Sequence, residues 1–147
     1  MYEINKETLA ILSCGKEKSR IIEKTKDFII NKNATKIIDD SCKYFGSSYL
    51  GRAEGSKNIL NSSQKLPIII EESNNIIFFP TTSPRLDKCS WISLNNINKY
   101  YKNIDKIVIN FISGKNIKLD ISYGIIDNQI LRATRLEMLF KKRKKNL

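Results

Sequence analysis

Two neighbouring carboxylate pairs, Asp39–Asp40 and Glu71–Glu72, are the first candidates for acid–base chemistry. Neither has a partner at a spacing that hydrolysis requires, so both read as solvated charge, the first on a helix and the second in a hairpin link. Histidine is absent, which excludes imidazole triads, imidazole zinc sites and any side chain that titrates near neutrality unperturbed. Cys14, Cys42 and Cys89 are odd in number, far apart and without a CxxC pair, and read as reduced thiols of a cytoplasmic protein. These residues supply no catalytic centre and no metal site.

The chemistry lies in the cations. Twenty-six Lys+Arg face 15 Asp+Glu, giving a net charge of +11 and a pI near 9.6, which favours polyanionic partners. Composition by itself is a weak argument, because Ile, Lys and Asn make up 60 of 147 residues and all three use A/T-rich codons. Distribution is the stronger one: residues 132–147 carry seven basic residues and one acid, so +6 of the +11 sits there and +5 is spread over the other 131. A solvated helix end, whose lysines meet the negative pole of the dipole, is the competing account of this run. A second cluster, Lys43, Arg52, Lys57 and Lys65, surrounds a glycine-rich stretch with Glu54 as its single acid and Tyr44, Phe45 and Tyr49 interleaved. Glycines let backbone N–H groups approach a phosphate, and Arg52 is suited to a groove. Tyr44 and Phe45 are expected to pack in the core.

The elements that must position these cations fit one α+β domain over residues 1–147, strand-rich in the middle, with a short helix near 35–45 and a longer one near 123–141. Tyr2 to Leu12 reads as two short strands about a turn at Asn5 and Lys6, followed by strands at 19–23 and 27–30. Thr35 is the expected N-cap of the first helix and Gly46 its stop. Gly46, Gly51 and Gly55 argue against a helix in the segment that follows. PIII at 67–70 and IIFFP at 76–80 form a hairpin, Pro80 and Pro84 bracket a rigid loop, and WISL at 91–94 and KIVINFISG at 106–114 continue the strands, with a turn at 113–116. Trp91 belongs to the core. Ser122 caps the last helix, whose apolar stripe ends at Phe140, so 141–147 is expected to be a frayed basic tail. The longest apolar runs fall far below the roughly 20 residues of a membrane span, and the N-terminus lacks the pattern of a secretory signal.

Four blocks, SCKYFGSSYLGRAEG at 41–55, FFPTTSP at 78–84, CSWIS at 89–93 and FISGKNIKLDISYGIIDNQILRATRL at 111–136, resemble the ComK family of competence transcription factors in order and spacing. The resemblance implies a transcription activator of DNA-uptake genes in low-GC Gram-positive bacteria. It implies binding of paired A-tract and T-tract boxes through the minor groove as a homo-oligomer, with neither catalysis nor a cofactor. The minor groove reports mainly A·T against G·C, and A-tracts narrow it and deepen its negative potential, so a basic protein without an evident helix-turn-helix can select such sites by shape.

Implied partners are double-stranded A/T-rich promoter DNA, further copies of the chain, RNA polymerase and a protease adaptor, with no membrane and a nucleoid-associated, cytoplasmic location. No base contact of the family transfers to a position here. Lys43, Arg52, Lys57, Arg132, Arg135, Lys141, Lys142 and Arg143 are chosen as DNA contacts on electrostatic grounds. Longer family members continue some forty residues past the position of Leu147 into a segment read by the adaptor, so adaptor-directed turnover is expected to be weak here. The competing function is a non-enzymatic regulatory module that pairs with related subunits or the adaptor and binds DNA poorly.

Overall fold

The computed structural model describes residues 1–147. The N-terminal third contains β1 (Thr8–Ser13), β2 (Ser19–Glu23), β3 (Asp27–Ile30), α1 (Ala34–Tyr44) and α2 (Tyr49–Leu60). Then come β4 (Ile68–Glu71), β5 (Ile76–Pro80), β6 (Trp91–Ser93), a 3-10 turn at Leu94–Asn96, β7 (Ile97–Asn103), β8 (Lys106–Phe111), β9 (Asn116–Leu119) and α3 (Tyr123–Lys145). The α+β class expected from the sequence is the observed one.

Two antiparallel meanders, β1–β3 and β4–β6, join through β1 and β6 into a six-stranded sheet of order β3-β2-β1-β6-β5-β4. Because β3 and β4 are its opposite edges, the chain must cross from one edge to the other, and α1 and α2 make that crossing. Strand alternation sends side chains to both faces. Ile11, Ile21, Ile68, Ile70, Phe78 and Trp91 meet Ile37, Ile38 and Cys42 of α1, while Ala10, Ile22, Ile69, Ile77, Phe79 and Ile92 meet α3 and a second sheet, β7-β8-β9. The large sheet is therefore the middle layer of three. Helix α2 packs beside edge strand β4 and contributes Tyr49 and Ala53 to one core and Ile59 and Leu60 to the other, which covers an otherwise open edge.

Several expectations are corrected. Residues 2–7 do not form a strand; Ile4 is buried, and its N–H donates to Ser41 Oγ at 3.0 Å, so this segment is pinned to α1 instead. The N-cap of α1 is Asn33, whose Oδ1 accepts from the N–H groups of Thr35 and Lys36; Thr35 lies in the first turn, and its Oγ1 accepts from Trp91 Nε1. The glycine-rich segment is helical: Ser48 caps α2 and Asn61, in the left-handed region, ends it. Packing against three neighbouring elements offsets the low helix propensity of its two glycines. Gly51 is nonetheless required to be small, since a Cβ there would stand 3.0 Å from Ser47 Oγ and 3.3 Å from Ser48 Oγ. Gly46, with φ of +87°, turns the chain between the two helices. Strand β7 has no counterpart in the sequence reading, because its INKYYKN lacks apolar alternation. Finally, α3 continues through Lys145, so residues 141–145 are helical and not frayed.

Candidate nucleic-acid interface

Helices α2 and α3, which carry most of the chosen cations, pack against each other. Ser122 starts α3 by accepting from the Ile125 N–H, and Ile126, Gln129, Ala133 and Leu136 form its buried stripe. That spacing directs Arg132 toward the loop after α2. Its guanidinium donates to the carbonyls of Lys65 (3.0 Å) and Gln64 (2.7 Å), to Ser62 Oγ (3.0 Å) and to Gln129 Oε1 (2.8 Å). Burial lowers its pKa, yet a guanidinium so bonded stays charged. Arg132 is thus a tie between α3 and the 62–65 loop, with both terminal nitrogens already engaged.

Farther along α3, Arg143 donates to Asn58 Oδ1 of α2 at 2.8 Å. Lys141 stands 3.6 Å from Glu137, and Lys144 stands 3.4 Å from Glu72 of the β4–β5 turn. The Arg143 and Lys144 contacts join the basic end to α2 and the β4–β5 turn, the Lys141 pair stays within α3, and cations in the last turn complement the helix dipole. Arg135, Lys142 and Lys57 are exposed and make no ion pair or side-chain hydrogen bond. Arg135 and Lys142 share one solvent face of α3 with Leu131 and Met138, each 59% exposed.

The other candidates lie at the α1–α2 junction. Lys43 pairs with Asp39 at 3.0 Å. Arg52 is half-buried, its Nε is enclosed without a partner, and its charge opposes the rise in the Cys42 pKa. Tyr44 and Phe45 are not core residues: Tyr44 is 66% exposed, and the two rings meet edge to face 5.1 Å apart. Tyr49 does pack inward, 6.0 Å from Trp91, which is fully buried as expected. The sequence-chosen cations therefore divide into two ties between elements (Arg132 and Arg143), two lysines paired within their own helices (Lys43 and Lys141), a half-buried Arg52, and three free charges. Gln129, which organises the buried side of α3, escaped notice because a single glutamine in a helix carries no sequence signal.

The Asp39–Asp40 pair is structural and less solvated than expected, whereas Glu72 is exposed in the β4–β5 turn as expected. Asp39 accepts the Tyr49 N–H at 2.9 Å, joining α1 to α2, and Asp40 pairs with Lys32 (2.8 Å) and Lys36 (3.0 Å) while only 8% exposed. Burial works to raise the Asp40 pKa, but the two ammonium groups outweigh it and the carboxyl titrates below its ordinary range. Glu71 accepts from Ser73 and Asn74 and closes the β4–β5 turn. No group of metal-ligating side chains occurs, and no helix is long and apolar enough to cross a membrane.

A family model described as ComK protein matches residues 1–145. The competence transcription factor of Bacillus subtilis (strain 168) is 38% identical over 146 residues, covering 97% of this chain and 76% of that protein. No solved structure matches. A basic α+β domain with such a relative falls in the class of transcription factors. Within that class the chain belongs to the ComK family.

Proposed function

We propose that this protein activates competence genes by binding A/T-rich promoter DNA through the minor groove as a homo-oligomer. The observation that carries the reading is the solvent face of α3, where Arg135 and Lys142 project unpaired from a helix joined to its neighbours by Arg132, Arg143 and Lys144. Free cations on a fixed support neutralise phosphates without first breaking internal ion pairs, and releasing the counterions of DNA supplies a large, sequence-independent part of the affinity. Lys57, on the neighbouring α2, extends the patch. Groove width supplies the selectivity, since A-tracts present a narrow, strongly negative minor groove to arginine and lysine. Exposed Tyr44 and Leu50 at the α1–α2 junction offer an apolar surface for a second copy. A cytoplasmic, nucleoid-associated location and contact with RNA polymerase follow from this role.

A mobility shift at near-physiological salt, comparing a duplex with an A-tract and T-tract pair against a G·C-substituted duplex, tests the proposal. Preference for the first is expected. With about five phosphates neutralised per protomer, log K falls against log salt with a slope of about −4.5. Equal weak binding to both duplexes, or a flat salt response, would favour the regulatory-module reading instead.

A further inference from the structure

Of the net charge of +11, the 132–147 segment holds +6 and residues 97–119 hold +4, from five lysines and Asp105, which leaves +1 for the other 108 residues. The second concentration is the β7-β8-β9 sheet. Its inner side chains, among them Ile107, Ile109, Phe111 and Ile117, join the core. A bulge between Ile97 and Lys99 restores Ile97 to that core and sets the outward register: Lys99 opposite Asn110, Tyr101 opposite Val108, and Val108 opposite Lys118. Lys99, Lys102 and Lys118 have no acidic partner, and only Lys106 is paired, with Asp120 at a loose 3.7 Å.

The turn of the β7–β8 hairpin carries the more telling residue. Ile104 is 88% exposed and has φ of +58°. A β-branched side chain in the left-handed region is strained where Asn or Gly is not, and full exposure gains it no burial energy. Folding does not explain an isoleucine there. Proteins that enter the minor groove insert apolar side chains of this kind between base steps, flanked by cations on the phosphates. Lys102 and Lys106 bracket Ile104 within two residues. The sheet packs on the same side of the large sheet as α3, and Tyr100 ties them by donating to Asp127 at 2.6 Å and stacking on Tyr123.

We propose that the β7–β8 hairpin is a second DNA-contacting element, in which Ile104 wedges between base steps of the minor groove while Lys102 and Lys106 hold the flanking phosphates. The proposal rests on the DNA-binding reading above, and the experiment separates the two. Binding and bending of the A-tract duplex are measured with the full chain, for wild type, Ile104→Asn, Ile104→Leu, Lys102→Gln/Lys106→Gln, and a remote control, Lys6→Gln/Lys88→Gln. Ile104→Asn is expected to raise the unfolding midpoint, because asparagine tolerates this backbone, yet to weaken binding at least fivefold and reduce the bend; Ile104→Leu retains both. The lysine pair lowers the magnitude of the salt slope by about 1.8, and the control pair does not. If wild type binds and Ile104→Asn matches it in affinity and bend, the wedge is overturned while the DNA reading stands. Loss of binding together with loss of stability also overturns it, as does Ile104-dependent capture by phosphatidylserine vesicles with DNA affinity unchanged. Failure of wild type to bind DNA overturns both readings.

Discussion

Arg132 donates to Gln129 Oε1 at 2.8 Å, three residues back on α3, and the same Gln129 amide donates to the carbonyls of Pro80 (2.8 Å) and Lys65 (3.0 Å). Gln129 is fully buried, so it serves as a polar pivot between the end of β5, the loop after α2 and the basic helix. Removing it strands the Pro80 carbonyl, and removing Arg132 frees the loop. Gln129→Ala and Arg132→Ala are each expected to cost about 1–3 kcal/mol in urea unfolding. The double variant should lose less than the sum of the two, since they share partners.

Trp91 Nε1 donates to Thr35 Oγ1 at 3.0 Å, fastening the large sheet to the first turn of α1. Thr35→Val keeps the shape and removes the acceptor, leaving a buried indole N–H unsatisfied. A loss of about 1–3 kcal/mol is expected, measured by tryptophan fluorescence during denaturation.

Asp40 has a folded pKa below its ordinary value, as does Asp39, where the Tyr49 N–H and Lys43 outweigh the effect of burial. Carboxyls lowered in the folded state contribute stability that is fully present above the unfolded value, about pH 4, and is lost as pH falls through the folded values. Stability is therefore expected to drop below pH 4. Asp40→Asn should flatten that part of the profile while lowering stability at pH 7 by about 1.5–3 kcal/mol.

Cys42 and Cys89 lie in the core, and burial pushes the Cys42 thiol up to about 11, against the opposing charge of Arg52. Burial raises the Cys89 pKa as well. Cys14 is exposed. A thiol-specific disulfide reagent at pH 8 should label one cysteine per native chain and all three after denaturation.

Arg135→Ala/Lys142→Ala removes two free cations that make no internal contact. DNA affinity should fall about tenfold at constant salt, with the salt slope reduced by about 1.8 and the unfolding midpoint unchanged. Arg132→Ala would instead lower both affinity and stability, and this distinguishes a contact from a support.

The sequence determined the α+β class, the paired strands at 19–23 and 27–30, the hairpin at 67–80, Ser122 as a cap and the burial of Trp91, because strand alternation, proline loops and capping are local properties of the chain. It also located the C-terminal concentration of charge and, through four motif blocks, the family. Tertiary structure decided what local pattern could not. Helix α2 exists because α1, β4 and α3 support a segment that Gly51 and Gly55 would leave marginal alone. Strand β7 exists because β8 offers it a ladder, despite outward lysines and asparagines that hide its period. The roles of the cations were settled by their neighbours: Arg132 and Arg135 are three residues apart with the same charge, but the helical turn aims one at four internal acceptors and the other at solvent. Charge is written in composition, whereas its availability depends on where the fold places a partner.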